Sequence, residues 1–341
     1  MASPELLTTR IAVVKPCCIG DCVMALPALQ ALRTGYPDSH IDVWVGGHSR
    51  AVFDMAAAAD SVVEFPNQPG LRSVPSLAAA WRRASYDTVI ILDRSRALHV
   101  AVKASGARRI AATTFRAAEQ RHESDVYLSV VRYLVDSAPA TLPIVIPSDA
   151  ARESATDRIT SHAPPTVVLH PGGAQNPGVN MLDKRWQVER WSELTCTLVG
   201  NGCQVLLSGG PADRAVALRV ASLANLPTRN VIAGEFDISG TAAIVARAAL
   251  FVGIDTGMSH VAAAVGTPTV AIFGPTNPRR YRPLGPHVRV VSPDESWMVP
   301  DADLRRTHAQ PTRPTTADVL VSDVLFAAES LLRSSRISRI I

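Results

Sequence analysis

Gly253-Ile254-Asp255-Thr256-Gly257-Met258-Ser259-His260-Val261-Ala262-Ala263-Ala264 runs in the order strand, tight turn, helix. The apolar run Leu250–Ile254 reads as a buried strand, and Thr256-Gly257 leads from it into a helix of small residues. Free N–H groups at such a helix start, together with the helix dipole, form an anion site. His260 follows one turn later on the face of Thr256. The alanines let the helix lie close to a sheet. A second strand, Pro268–Phe273, ends in another small-residue turn, Gly274-Pro275-Thr276. Two such turns side by side suit a diphosphate; the plain alternative is tight packing alone.

The same rhythm extends in both directions. Ile11–Lys15, Ile41–Val45 and Val89–Leu92 read as strands, and Asp21–Thr34 as a helix with Val23, Leu26, Leu29 and Leu32 on one face. After a pause rich in proline (Pro143, Pro147, Pro164, Pro165), which brackets a polar helix at Asp149–Ser161, the pattern restarts. Strand Val167–His170, helix Val188–Val199, strand Cys203–Leu207 and helix Ala212–Leu223 follow, then Leu250–Ile254, helix Ser259–Val265 and Thr269–Phe273. Apolar strands joined by helices indicate parallel sheets covered on both faces. The expected fold is α/β, with two Rossmann-like doubly wound domains facing across a cleft. Expected spans are residues 1–162, residues 163–315, and a helix with a frayed tail over residues 316–341. Ligands of such sheets sit at the carboxyl ends of strands, so the loops there are where chemistry is sought.

Composition narrows the function. With 341 residues, 47% hydrophobic and 19% charged, the chain is globular and long enough for two domains. An aromatic fraction of 5% and a net charge of +4 argue against nucleic acid and leave room for an anionic ligand. Only three of the 34 basic residues are lysines, Lys15, Lys103 and Lys184, so a lysine inside a motif carries extra weight. Five cysteines, two of them adjacent, without a secretory signal pattern, suggest a reducing cytoplasm. Cys17, Cys18 and Cys22 lack a fourth ligand at zinc spacing and read as small buried thiols. No apolar run is long enough to span a membrane.

Three more strand-end loops carry candidates. In Lys15-Pro-Cys-Cys-Ile-Gly-Asp21 the acid reads either as a first-turn helix residue or as a base able to take a proton from a hydroxyl. The single glycine disfavours a dinucleotide turn. In His170-Pro-Gly172-Gly173-Ala174 the paired glycines allow close backbone approach to a ligand, or simply a tight turn. Lys184 lies shortly beyond, in Asp183-Lys-Arg-Trp186, where adjacent cations are usually solvated and Trp186 reads as packing. In Ser208-Gly-Gly-Pro-Ala-Asp213 the acid either complements the helix dipole or bonds ribose hydroxyls. Asp301-Ala-Asp303 has the form of a metal-binding D-x-D but falls in the proline-rich stretch Pro293–Pro314, where a solvated loop is the preferred reading.

Ile19-Gly-Asp21 followed by Ala25-Leu-Pro-Ala-Leu, then Asp255-Thr-Gly with His260 and Phe273-Gly-Pro-Thr276, together resemble the family-nine glycosyltransferases, the ADP-heptose:lipopolysaccharide heptosyltransferases. The resemblance runs from about Ile11 to Gly285. It implies a GT-B fold, with the acceptor on the N-terminal domain and the donor on the C-terminal one. It further implies an inverting transfer without metal or cofactor, the nucleotide-diphosphate sugar being a co-substrate. Asp21 matches the family's proposed general base, Lys184 a donor-phosphate or sugar contact, and Asp255 a carboxylate on the donor sugar. Thr256, Gly257 and His260 match the diphosphate site, and Asp213 stands where a glutamate near the nucleoside is common. The implied partners are a nucleotide-sugar donor, ADP-heptose by resemblance, and a glycan, lipid-linked or small-molecule acceptor, with at most peripheral membrane contact and a place in lipopolysaccharide biosynthesis. The alternatives are a nucleotide-sugar epimerase-like enzyme and a non-catalytic nucleotide-sugar binding protein.

Overall fold

The computed structural model describes residues 10–114, 121–135, 138, 141–159, 164–176, 178–293 and 315–338. Strand β1 (Arg10–Val14) leads into α1 (Ile19–Gly35), and β2 (His40–Gly46), α2 (Arg50–Asp54), β3 (Ser61–Phe65) and α3 (Val74–Arg83) follow. Then come β4 (Thr88–Ile91), α4 (Arg96–Lys103), β5 (Arg109–Ala112) and α5 (Glu123–Val131). The five strands form one parallel sheet in the order β3-β2-β1-β4-β5. Ile11, Val13, Val89, Ile90 and Ile91 are fully or almost fully buried, as central parallel strands with helices on both faces require. Trp81 anchors one side of this sheet, with its ring edge-on to Trp44 at 6.0 Å between centroids.

The pattern repeats beyond α6 (Asp149–Thr156). Strand β6 (Thr166–His170) is followed by a two-residue hairpin pair, β7 (Gln175–Asn176) and β8 (Val179–Asn180). Next come α7 (Val188–Gly200), β9 (Gln204–Leu207), α8 (Arg214–Leu223), α9 (Ile238–Arg247) and β10 (Leu250–Ile254). The last elements are α10 (Gly257–Ala264), β11 (Thr269–Ile272), α11 (Pro278–Tyr281), β12 (Val288–Val291) and α12 (Val321–Ser338). The second parallel sheet has the order β12-β11-β10-β6-β9, and an isolated bridge from Leu207 to Val231 extends it beyond β9. Read outward from β6, this is the winding of the first sheet over again.

Two compact units result, Met1–Pro143 and Ile144–Ile341. The stretch 144–162, assigned to the first domain from sequence, groups with the second unit because α6 packs on α9. The C-terminal helix is likewise part of the second unit: Val324, Ala328 and Leu331 share its core with Trp191, Leu194 and Ile272. Helix α6 ends at Thr156 rather than Ser161, and α10 begins at Gly257, two residues earlier than expected. The expected helix Ala212–Leu223 opens with a short 3-10 turn, Pro211–Asp213. The Asp301-Ala-Asp303 pattern and the tail beyond Ser338 lie outside the described residues.

In both sheets the winding direction reverses between two central strands, β1 and β4 in the first, β6 and β10 in the second. The crevice at the carboxyl ends of such a strand pair is where doubly wound sheets bind ligands. The loops beginning at Lys15, His170 and Asp255 leave the sheets at these switch-point strands, while those beginning at Ser208 and Gly274 follow the neighbouring strands β9 and β11.

Candidate functional sites in the two units

In the first unit, β1 ends at Val14 and the chain crosses Lys15-Pro16-Cys17-Cys18 before α1 begins. Asp21 sits in the first turn of α1, its side chain 29% exposed. Lys15 is buried beneath it with Nζ 3.7 Å from Asp21 Oδ2 and 3.4 Å from Asp93 Oδ2, and donates to the Cys17 carbonyl at 3.1 Å. The ammonium also lies 5.9 Å from the centre of the Tyr127 ring. Burial works against the charge on Lys15, but Tyr127, Asp21 and Asp93 more than offset it and hold the ammonium above its ordinary range. Asp21 moves the other way. Burial, with further repulsion from Glu123 and Asp93, lifts its carboxyl above the usual range, although Lys15 and Arg94 pull it back. Glu123 is itself buried and paired with Arg94 at 2.5 Å.

Four of these neighbours were not among the sequence candidates. Asp93 and Arg94 stand just past β4, the strand beside β1, while Glu123 and Tyr127 arrive on α5, which packs along α1. Strand-end position was a usable signal for Asp93. For the α5 residues only the fold brings them in. The thiols of Cys17 and Cys18 lie 2.9 Å apart, and Cys18 adopts φ +73° at the head of α1.

In the second unit, Asp255 lies just after β10, and its Oδ2 accepts hydrogen bonds from Lys184 Nζ at 2.7 Å and from Thr276 Oγ1 at 2.6 Å. Burial opposes ionisation of this carboxyl, but Lys184, the Thr276 hydroxyl and nearby His260 hold it below the usual carboxylate range. The pair ties three strand-end segments together: the turn after β10, the turn after β11, and the loop before α7. Thr256 caps α10 in extended conformation without using its side chain, and the first-turn N–H groups of Gly257 and Met258 have no carbonyl of their own helix to bond. His260 is buried one turn further on.

The Gly172-Gly173 turn after β6 abuts this helix start. A Cβ on Gly173 would lie 2.7 Å from Thr256 Oγ1, and one on Gly172 would fall 2.2 Å from Asp213 Cγ. Both positions therefore exclude a side chain. His170, at the end of β6, is buried and bonded to Ser208 Oγ at 3.0 Å; burial lowers its pKa to about 4, so the ring is neutral at physiological pH. Asp213 is buried and largely spent on internal partners. Its Oδ1 accepts from Gly173 N and Arg185 Nη2, each at 2.9 Å, and its Oδ2 from Gly210 N at 3.1 Å. Trp186 packs rather than stacks on a ligand, edge-on to Trp191 at 5.1 Å, with Nε1 bonded to the Val319 carbonyl.

The second unit thus brings Gly172, Gly173, Lys184, Asp213, Asp255, Thr256, Gly257 and His260 to one end of one sheet, while Asp21 belongs to the first unit. Among the described residues no group of three or more His, Cys, Asp or Glu is arranged to hold a metal ion, and no helix is long and apolar enough to cross a membrane.

Two Rossmann-like units, each a parallel five-stranded sheet, correspond to the GT-B class of glycosyltransferase fold. Residues 76–307 match the sequence profile of glycosyltransferase family 9 (heptosyltransferase), and the chain belongs to that family. It is 23% identical to lipopolysaccharide heptosyltransferase 3 of Escherichia coli over 93% of this chain and 97% of that one. The glycosyl transferase family 9 structure from Veillonella parvula superposes with a TM-score of 0.81 at 22% identity, covering 97% of this chain and 99% of the other. The structure of E. coli ADP-heptose lps heptosyltransferase II superposes at 0.76 and 20% identity, covering 96% and 100%. The likeness to these two structures bears on the fold, and the protein is a glycosyltransferase by family.

Proposed function

We propose that the protein transfers a heptose from ADP-heptose to a hydroxyl of a lipopolysaccharide-type glycan or related acceptor in the cytoplasm, with inversion and without a metal ion or cofactor. One observation carries this reading. The Asp255-Thr256-Gly257 turn presents helix N–H groups that have no partner within their own helix beside the Gly172-Gly173 turn, with Lys184 anchored on Asp255. The names of the relatives support the donor and the acceptor class.

The chemistry follows from charge. Glycosyl transfer releases a nucleoside diphosphate, so negative charge grows on the leaving group. The N–H groups of Gly257 and Met258, the Lys184 ammonium and His260 supply the complementary positive field. Asp255 holds Lys184 and bonds hydroxyls of the donor sugar. Asp21 takes the proton from the acceptor hydroxyl as it attacks the anomeric carbon. Attack on the face opposite the leaving diphosphate inverts the configuration there. A carboxyl raised above its ordinary range is the better base, because its conjugate acid is closer in strength to the hydroxyl it must deprotonate.

Calorimetric titration with ADP, UDP, GDP and dTDP in the presence of EDTA tests the donor site. Selective binding of ADP is expected. Preference for another base would discard the ADP-linked donor, and binding of none would overturn the diphosphate site.

A further inference from the structure

Gly173 and Ala174 both adopt left-handed backbone conformations, at φ +85° and +62°. Two such residues in succession, one of them not glycine, cost conformational energy and persist only when their surroundings fix them. The surroundings here are specific. Arg185 reaches back from the loop before α7 and donates from Nε at 3.1 Å and Nη2 at 3.0 Å to the carbonyl oxygen of Gly173. Asp213 accepts from the N–H of the same residue at 2.9 Å. The two side chains are also paired with each other, Arg185 Nη2 to Asp213 Oδ1 at 2.9 Å. Both backbone polar groups of Gly173 are therefore held by one ion pair. The pair is anchored in turn: Thr316 Oγ1 donates to the Arg185 carbonyl at 2.7 Å, and Gly210 N donates to the second Asp213 oxygen at 3.1 Å. What the clamp fixes is the turn that meets the head of α10, where a Gly173 Cβ would fall 2.7 Å from Thr256 Oγ1.

We propose that Arg185 and Asp213 form a clamp that sets the orientation of the Gly173 backbone against the first turn of α10, making both of them positioning residues for the diphosphate of the donor. This rests on the second unit being the donor site. Three of the roughly four lone-pair positions of the Asp213 carboxylate are occupied by internal donors, which favours this role over a contact with the nucleoside. A lysine at 185 would keep the charge but not the fork, because a single ammonium does not reproduce two fixed donors on one carbonyl together with a third on a carboxylate.

The test is ADP and AMP binding, by calorimetry in EDTA, to the full chain and its R185K, R185Q, D213N and R185Q/D213N variants. The clamp predicts that R185K and R185Q each weaken ADP about tenfold, the loss of one hydrogen-bonded anchor. AMP, which lacks the second phosphate, loses much less, and the double variant is no worse than the weaker single one. Wild-type affinity in R185K would reduce the arginine to a bare charge and overturn the clamp. So would equal losses for AMP and ADP in D213N, the mark of a nucleoside contact, or additive losses in the double variant. If R185Q does not fold, R185K and D213N, which keep side-chain volume, decide on the same readout. A wild-type chain that binds no ADP overturns the donor reading itself and the clamp's function with it. Unchanged ADP binding by folded R185K and R185Q overturns the clamp alone.

Discussion

Lys15 is a buried cation beneath the proposed base, and Lys15→Met removes it with little change in shape. At 3.7 Å the ammonium and the Asp21 carboxylate attract each other by about 4.5 kcal/mol at an effective dielectric constant near 20. Asp21 is 29% exposed, so solvent screening cuts that figure, and Arg94 still acts on it from the same side of the balance. The expected net effect is a further rise in the Asp21 pKa, which already lies above the ordinary 3.8. A base works only when deprotonated, so the acidic limb of the kcat/KM profile should move to higher pH, with activity regained above it. The acceptor need not be known to see this. A 13C NMR titration of the aspartate carboxyl carbons, with Asp21 assigned through its Asp21→Asn variant, reads the same shift directly. An unmoved or lowered Asp21 titration in folded K15M would refute the electrostatic account. The stability consequence has its own sign. The folded pKa of Lys15 is raised above 10.5, so its contribution is fully present below that value and is lost only as pH rises through the folded value. K15M should therefore be less stable than wild type throughout the neutral range.

Asp21→Asn should abolish transfer while leaving the Kd for ADP within about twofold, and its Tm should not fall, because a carboxyl with a raised pKa is one whose charge at neutral pH opposes folding. Lys184→Ala should weaken ADP binding and destabilise the second unit by about 3 kcal/mol in urea unfolding, since it strands the buried Asp255 carboxylate; Asp255→Asn added to it should recover much of the stability. Because the Asp255 carboxyl is held below 3.8, the pair's contribution is complete above that pH and fades as pH falls through the folded value, so acid unfolding of D255N should lack this component. Iodoacetamide near pH 8 should label Cys17 before Cys22: the hydrogen bond from Cys18 and the Lys15 charge lower the Cys17 thiol, whereas burial pushes Cys22 up to about 12. Fragment-ion mass spectrometry of the tryptic peptide Ile11–Arg33, which carries both thiols, gives the order, and early labelling of Cys22 would contradict it.

The central strands and the strand-to-helix turns were legible because their information is local. Thr166–His170 and Leu250–Ile254 are unbroken apolar runs since both their faces are covered, and Asp255, Thr256, Gly257 and His260 lie within one turn of each other. The peripheral strands Ser61–Phe65, Arg109–Ala112 and Val288–Val291 escaped notice for the converse reason. They are edge or near-edge strands, half-buried along most of their length, and carry neither a long apolar run nor a strict alternation. The surroundings of Asp21 were legible only in part. Lys15 stands in the same loop, but Asp93 lies 72 positions on and Tyr127 more than a hundred, and nothing in either segment signals a partner in α1. Arg185 read as a solvated neighbour of Lys184, because its carbonyl partner is defined by the shape of a turn and not by a residue type.

The two sheets wind alike and place their loops alike, yet the loops at their switch points are built from opposite materials. After β1 and β4 the groups at the strand ends are side chains: a partly exposed carboxylate over a buried ammonium, with two more acids behind. After β6 and β10 they are mainly backbone, glycines and a helix start, with one lysine locked to one aspartate. That division suits the two halves of a group transfer. Moving a proton needs a titratable group whose pKa can be adjusted by its neighbours, whereas stabilising a departing diphosphate needs fixed dipoles that do not relax when the charge appears. The directions of the carboxyl shifts agree: the first unit raises its acid above the ordinary range, and the second depresses Asp255 so that it stays charged and holds Lys184. Exchanging the two loops would accordingly remove both functions, since neither a rigid glycine turn nor a tunable carboxylate can do the work of the other.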